Sequence, residues 1–345
     1  MARAGDVSRR GVLGAGAAAW FSGCASAGGD PTIGPLPLSA LELVADNLNR
    51  PEGVAVTRDG RVVVSSSRSA GTIIAADGAR REVGRAHHAN GIAIDGDGRL
   101  IVANYGLIDG VLGNIQRVDL ESGETTDLAA DINGRRFTSS NFPAIGPDGA
   151  IYCSHTQWSE PQNIGAVDPQ GFVYRIAANG AAELVCDGFR MANGICFSAD
   201  FQHLFVAQTA VGNVVRLTRR ADGGYGDPQP YGPQLGHAPD NIRAPDIYAM
   251  GPEERGRLGH TDGVALDVAG NLWVTLPFAN AIVVITPAGE VIDVIRDPAS
   301  TKLQHVTSIA FGGDDMRTLY IASMRNNSLW RLRVPTPGVR LPITS

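Results

Sequence analysis

The 345-residue chain is predicted to be all-β, a six-bladed β-propeller with a metal site in its central channel, on three observations. One phrase recurs six times: a polar residue, usually Gly, an apolar-small-apolar triplet, a turn and a second apolar run. The runs are short, β-branched and bounded by Asp-Gly or Gly-Asn turns, the pattern of successive antiparallel hairpins. Finally, 43 Gly and 20 Pro interrupt the chain too often for long helices.

The copies begin at Glu52-Gly53-Val54-Ala55-Val56, Asn90-Gly91-Ile92-Ala93-Ile94 and Asn141-Phe142-Pro143-Ala144-Ile145. They continue at Asn193-Gly194-Ile195-Cys196-Phe197, Asp262-Gly263-Val264-Ala265-Leu266 and Thr307-Ser308-Ile309-Ala310-Phe311. Successive leading residues lie 38, 51, 52, 69 and 45 positions apart. Each copy then supplies a third strand, such as the runs starting at Gly113, Gly171 and Gly212. A single sheet of this kind cannot bury both faces, whereas six arranged radially can. Leu41–Ala45 precedes the first copy without a hairpin partner and is expected to join the last blade, closing the ring and removing an edge. The longest spacing holds an unrepeated Gly-, Pro- and Arg-rich insert near 223–259, expected to be a long loop rimming the pocket.

Residues 1–29 read as an export signal, and 30–345 as one propeller domain. Arg3, Arg9 and Arg10 precede an apolar stretch from Gly11 to Gly23 and then small residues. The apolar stretch is shorter than the roughly twenty residues a bilayer requires, so no membrane span is expected. Ser8-Arg9-Arg10-Gly11-Val12-Leu13 resembles a twin-arginine motif, which points to a periplasmic or secreted product. Cleavage after Ala25-Ser26-Ala27 and lipid anchoring at Cys24 both remain open. The net charge of −6 leaves no basic footprint for nucleic acid, and the small-molecule class of partner remains. Lys302 is the one lysine, which disfavours a lysine nucleophile. Cys153, Cys186 and Cys196 match no zinc or redox spacing and read as small buried hydrophobes, with a Cys186–Cys196 bridge open in an oxidising compartment.

The innermost strand of each blade lines the channel, so Glu52, Asn90, Asn141, Asn193, Asp262 and Thr307 should face one another near one mouth. Two carboxylates at short range cannot both ionise cheaply. A hard divalent cation resolves the conflict: Glu52 and Asp262 neutralise it, and Asn carbonyls complete an oxygen shell. With no His or Cys among the six, calcium is favoured, with magnesium and manganese as alternatives. Tight-turn formation by Asn-Gly and Asp-Gly is the competing explanation, but downstream Asp-Gly turns already serve that purpose.

On these residues, over roughly 40–335, the sequence resembles the senescence-marker-protein, gluconolactonase and luciferin-regenerating-enzyme superfamily. The resemblance implies metal ligands at Glu52 in Arg50-Pro51-Glu52-Gly53, Asn193 in Met191-Ala192-Asn193-Gly194 and Asp262 in Thr261-Asp262-Gly263, with Asn141 near both metal and substrate. Phe142 stands where that family usually has Asp. It implies hydrolysis of lactones or related esters, and in some relatives of organophosphates. Asp262 is then the catalytic candidate, as base or as nucleophile. Asn90, His88 and His155 are further substrate-contact candidates. No Gly-x-Ser-x-Gly elbow or His-Glu-x-x-His motif appears. The alternative from another class is a non-catalytic propeller with a structural channel metal and a ligand- or partner-binding rim.

Overall fold

The computed structural model describes residues 32–106, 110–156, 163–164 and 169–341. The export-signal reading of 1–29 and the choice at Cys24 fall outside these residues. Six four-stranded antiparallel sheets follow one another along Thr32–Ser345. Their innermost strands are Val54–Val56, Ala89–Ile94, Ser140–Ile145, Ala192–Phe197, Val264–Leu266 and Val306–Gly312. Each packs on the next, and the last packs on the first, so the ring is closed. Closure is covalently staggered: Glu42–Ala45, ahead of the first blade, pairs antiparallel with Ser328–Arg333 of the sixth, as expected.

The repeated Gly has a specific reason. A Cβ on Gly53 would stand 2.7 Å from the Asn90 carbonyl oxygen, and one on Gly263 would stand 2.6 Å from that of Thr307. Gly91 and Gly194 meet the Asn141 and Asp262 carbonyls in the same way. Four of the six leading residues are therefore followed by a glycine against which the next blade's leading residue presses its backbone. Hydroxyls in or just after second strands add bridges between blades: Thr209 Oγ1 donates to Thr261 O at 2.8 Å and Thr275 Oγ1 to Thr307 O at 3.1 Å. Between the blades lie apolar layers, such as Val63, Ile92, Leu100, Val102 and Val118 between the first two.

The insert departs from the expected long loop. Gln229–Tyr231 pairs with Asn213–Thr218 and completes the fourth blade, and two short helices follow, Ala244–Ala249 and Pro252–Arg255. Six and four residues are too few for a helical period to show in sequence. Both helices carry Pro in the first turn. The first helix sinks Ile247 into an apolar cluster with Ile164, Met191, Leu258 and Phe278. That cluster holds the insert beside the channel mouth. Among the described residues no helix is long and apolar enough to cross a membrane. Cys153, Cys186 and Cys196 are all free thiols, so the Cys186–Cys196 bridge does not form. Burial pushes the Cys153 thiol up to about 12.

Gly53→Ala should wedge the first two blades apart and cost roughly 1–3 kcal/mol in urea unfolding. Gly34→Ala, whose Cβ would meet nothing within 4 Å, should leave the midpoint unmoved.

Candidate active site

A cavity of about 230 Å³ opens where the inner strands begin, and Glu52, Asn90, Asn141, Asn193 and Asp262 all line it. Five positions spread over 211 residues of chain thus meet at one place. Thr307, the sixth leading residue, is not among the lining residues. Its hydroxyl donates to the Glu52 carbonyl oxygen at 2.7 Å, fixing Glu52 from behind. Ser65 Oγ accepts from the Glu52 and Gly53 N–H groups at 3.1 and 2.8 Å. Asp262 is held likewise: its N–H donates to Thr275 O at 3.1 Å, and its carbonyl accepts from Gly194 N at the same distance.

The amides form a directed chain. Arg50, which can only donate, gives Nη2–H to Asn90 Oδ1 at 3.1 Å. Asn90 therefore turns Nδ2 to Asn141 Oδ1 at 2.9 Å, and Asn141 turns Nδ2 to Thr156 Oγ1 at 2.6 Å. Thr156 Oγ1 in turn donates to Ala192 O. Asn193 breaks the pattern. Its Nδ2 donates to Thr209 Oγ1 at 3.0 Å, while its Oδ1 is buried with no hydrogen-bond partner. Glu52 Oε2 is likewise buried and without a hydrogen bond, its nearest cation being Arg50 Nη2 at 3.5 Å.

Glu52 and Asp262 are 9% and 6% exposed, and this burial sets their proton affinity. Desolvation raises the Glu52 carboxyl above its ordinary range, and Arg50 partly offsets this. Burial, and then the charge of Glu52, drive Asp262 well above the usual carboxylate range; Arg50 and the Asn193 amide pull the other way. Two buried oxygens without a hydrogen bond and a pair of buried carboxylates that Arg50 only partly compensates favour added positive charge. A hard divalent cation fits this donor set at Glu52, Asn193 and Asp262. Asn141 Oδ1 already accepts from Asn90 and keeps one lone pair for such an ion. Among the described residues no group of three or more His, Cys, Asp and Glu gathers.

The two histidine candidates lie elsewhere. His155 is 1% exposed and absent from the cavity lining; its Nε2 accepts from Thr138 N and Ser139 N at 3.1 and 3.2 Å, and its ring stacks on Phe172. Its alternating strand position turns it into the blade rather than the channel. Burial, with Arg135 adding, lowers its pKa to about 3, so it stays neutral. His88 is also absent from the lining; its backbone N–H donates to Asn104 Oδ1 at 3.1 Å. Neither is carried forward as a substrate contact. Conversely, Arg50, Thr156, Thr209, Tyr248 and His305 line the cavity without having stood out in the sequence. Arg50 sits two residues before Glu52 at φ +52°, a strained position for a long side chain, and one arginine among many carries no signal.

A closed six-bladed propeller with two carboxylates and three amides at its channel mouth defines the class of protein. Residues 72–325 match the SMP-30/gluconolactonase/LRE-like region, and the chain belongs to that family. A 6-deoxy-6-sulfogluconolactonase of Pseudomonas putida is 27% identical over 222 residues, covering 64% of this chain and 66% of the relative. A gluconolactonase of Zymomonas mobilis is 24% identical over 256 residues, 72% of this chain and 64% of the relative. The chain thus spans just under two thirds of the length of each. Two solved structures share the fold: a gluconolactonase from Xanthomonas campestris, with TM-score 0.65 and 22% identity over 86% of this chain and 89% of that one, and regucalcin, a calcium-binding protein from Agrobacterium tumefaciens, with TM-score 0.62 and 16% identity over 87% and 97%.

In cation-free protein, Asp262→Asn should raise Tm increasingly as pH rises, because ionising a buried carboxyl beside Glu52 is unfavourable and the amide does not ionise. Relief of about 1–2 kcal/mol corresponds to roughly 1.5–3 °C for a domain of this size. Calcium should raise Tm of the wild type and not of this variant. His155→Phe should cost about 1–3 kcal/mol by leaving two buried N–H groups unpaired, with calcium affinity unchanged. The folded-state pKa of His155 lies below its ordinary 6.5, so its contribution is complete above that pH and is lost as pH falls toward 3. The variant should show a shallower loss of stability over that window.

Proposed function

We propose that this protein is an exported hydrolase of lactones, cyclic esters of the sugar-acid type, dependent on a divalent cation, with calcium first. The observation that carries the reading is the buried Glu52–Asp262 pair beside oxygens of Glu52 and Asn193 that receive no hydrogen bond. Family membership and the lactonase names of the Pseudomonas and Zymomonas relatives support the reaction class. The signal-like residues 1–29 support export.

When bound, the cation polarises the ester carbonyl and lowers the pKa of a water molecule. The chain supplies the rest. Glu52, Asn193 and Asp262 hold the ion, and Asn141 stands next to them. Asp262, a buried carboxylate lining the cavity, is the proton acceptor for the attacking water. Asn90 and Asn141, locked by Arg50 and Thr156, present a fixed polar wall for substrate hydroxyls. Preset amides need no reorganisation when substrate arrives. Met191, Tyr248, Phe278 and Met324 line the remainder with apolar surface, which holds a ring and excludes bulk water.

Purified protein should open a panel of aldonolactones with calcium present and lose that activity in EDTA, with recovery on calcium addition. Asp262→Asn should lower kcat/KM by about 10²–10⁴-fold while remaining folded. A cation that raises Tm while no lactone, ester or phosphotriester is turned over would instead identify a binding propeller.

A further inference from the structure

Next to the proposed catalytic cavity lies a second compartment of about 140 Å³. The two share Tyr248, Pro277, Phe278 and His305 as a common wall. Their combined size reaches the lower end of the roughly 300–1,000 Å³ that encloses a small ligand. The polarity of the second compartment differs from the first. Arg255 and Arg325 line it, no carboxylate does, and among the described residues neither arginine belongs to an ion pair. By contrast, neighbouring Arg257 and Arg296 are paired with Glu253 and Asp293.

Both guanidinium groups are held in place. Arg255 Nη2 donates to Pro298 O at 3.0 Å and Ser300 Oγ at 2.8 Å. Arg325 lies over the Tyr248 ring, 3.8 Å from its centroid. Stacking occupies the face of a guanidinium and leaves its edge N–H groups to donate. The polar side chains between them are already engaged: Asn280 receives His305 N–H at 2.8 Å and donates to Asp297 O and Ser300 Oγ, and Gln304 donates to Ser300 O. His305, facing Arg325 and Arg50 and bonded through Nδ1 to Tyr248 Oη at 3.0 Å, stays neutral. The walls are also strained: Asn280, Ser300 and His305 have φ of +48°, +57° and +63°. Non-glycine residues at such angles persist where the surrounding structure over-determines them, as in ligand clamps.

We infer that this compartment is an anion subsite, and that the substrate is a lactone bearing an oxoanion group remote from its ester, gripped by Arg255 and Arg325 while the ring occupies the adjoining cavity. The inference rests on the lactonase reading for the ring and on the arginine pair for the anion. A terminal carboxylate, sulfonate or phosphate shares the required chemistry: planar or tetrahedral oxygens matched to guanidinium donors. Repulsion from Glu52 and Asp262 is removed once their cation is in place.

The test compares glucono-lactone with its 6-phosphate, 6-sulfonate and 6-carboxylate counterparts, in calcium-loaded wild type, Arg325→Met, Arg255→Met and Arg325→Lys. Wild type should favour at least one anionic lactone by about 10- to 100-fold in kcat/KM. Each Met variant should lose that preference through KM while its rate on the neutral lactone stays within about twofold, and Arg325→Lys should restore part of it. Calorimetry with 6-phosphogluconate reads binding independently of turnover, and Tm confirms folding. Equal handling of neutral and anionic lactones, or variants that lower both alike, overturns the subsite and leaves the lactonase reading standing. Binding of the phosphorylated acid that weakens in Arg325→Met, with no lactone opened, sustains the subsite and overturns the lactonase reading. Neither binding nor turnover overturns both.

Discussion

The constraint on which the structure turns is electrostatic: Glu52 and Asp262 share one desolvated cavity, where burial and mutual repulsion disfavour ionising both. Everything around the channel mouth is arranged to hold them there. Ser65 and Thr307 clamp the backbone of Glu52, and Thr275 and Gly194 clamp that of Asp262. These bonds fix the backbone from which both side chains enter the cavity. Arg50 offsets part of the repulsion but also spends donors on Ala89 O and Asn90 Oδ1, so a single guanidinium does not neutralise the pair.

That arrangement depends in turn on how tightly the blades meet at the hub. Gly53, Gly91, Gly194 and Gly263 let each leading residue sit against the next blade's backbone, at separations that a methyl group would prevent. The geometry of the hub and the packing of the ring are therefore inseparable. The same glycine that permits close approach fixes the distance between neighbouring donors. Apolar layers farther out supply stability without shaping the site.

Much of this was legible in the sequence because a propeller converts sequence period into spatial convergence. Glu52, Asn90, Asn141, Asn193 and Asp262 occupy equivalent repeat positions, and equivalent positions share one cavity. The closing strand was legible for the related reason that Leu41–Ala45 had no partner nearby. Features outside the repeat were not. His155 is near the third blade's leading residue in sequence, yet strand alternation buries it against Phe172. The insert reads as loop by composition, but Gln229–Tyr231 finds a strand partner and Ala244–Ala249 packs Ile247 inward, both tertiary effects. Arg255 and Arg325 come together only because this insert folds toward the loop after the sixth blade's second strand, a juxtaposition without periodic signature.

The hub is tested most directly by anomalous diffraction from a crystal soaked in manganese, which substitutes for calcium among oxygen ligands. The expected result is a single strong peak within about 2.0–2.6 Å of carboxylate or amide oxygens from Glu52, Asn193 and Asp262. A channel mouth devoid of anomalous signal at full soak concentration, or a peak bound by other residues, would contradict the account.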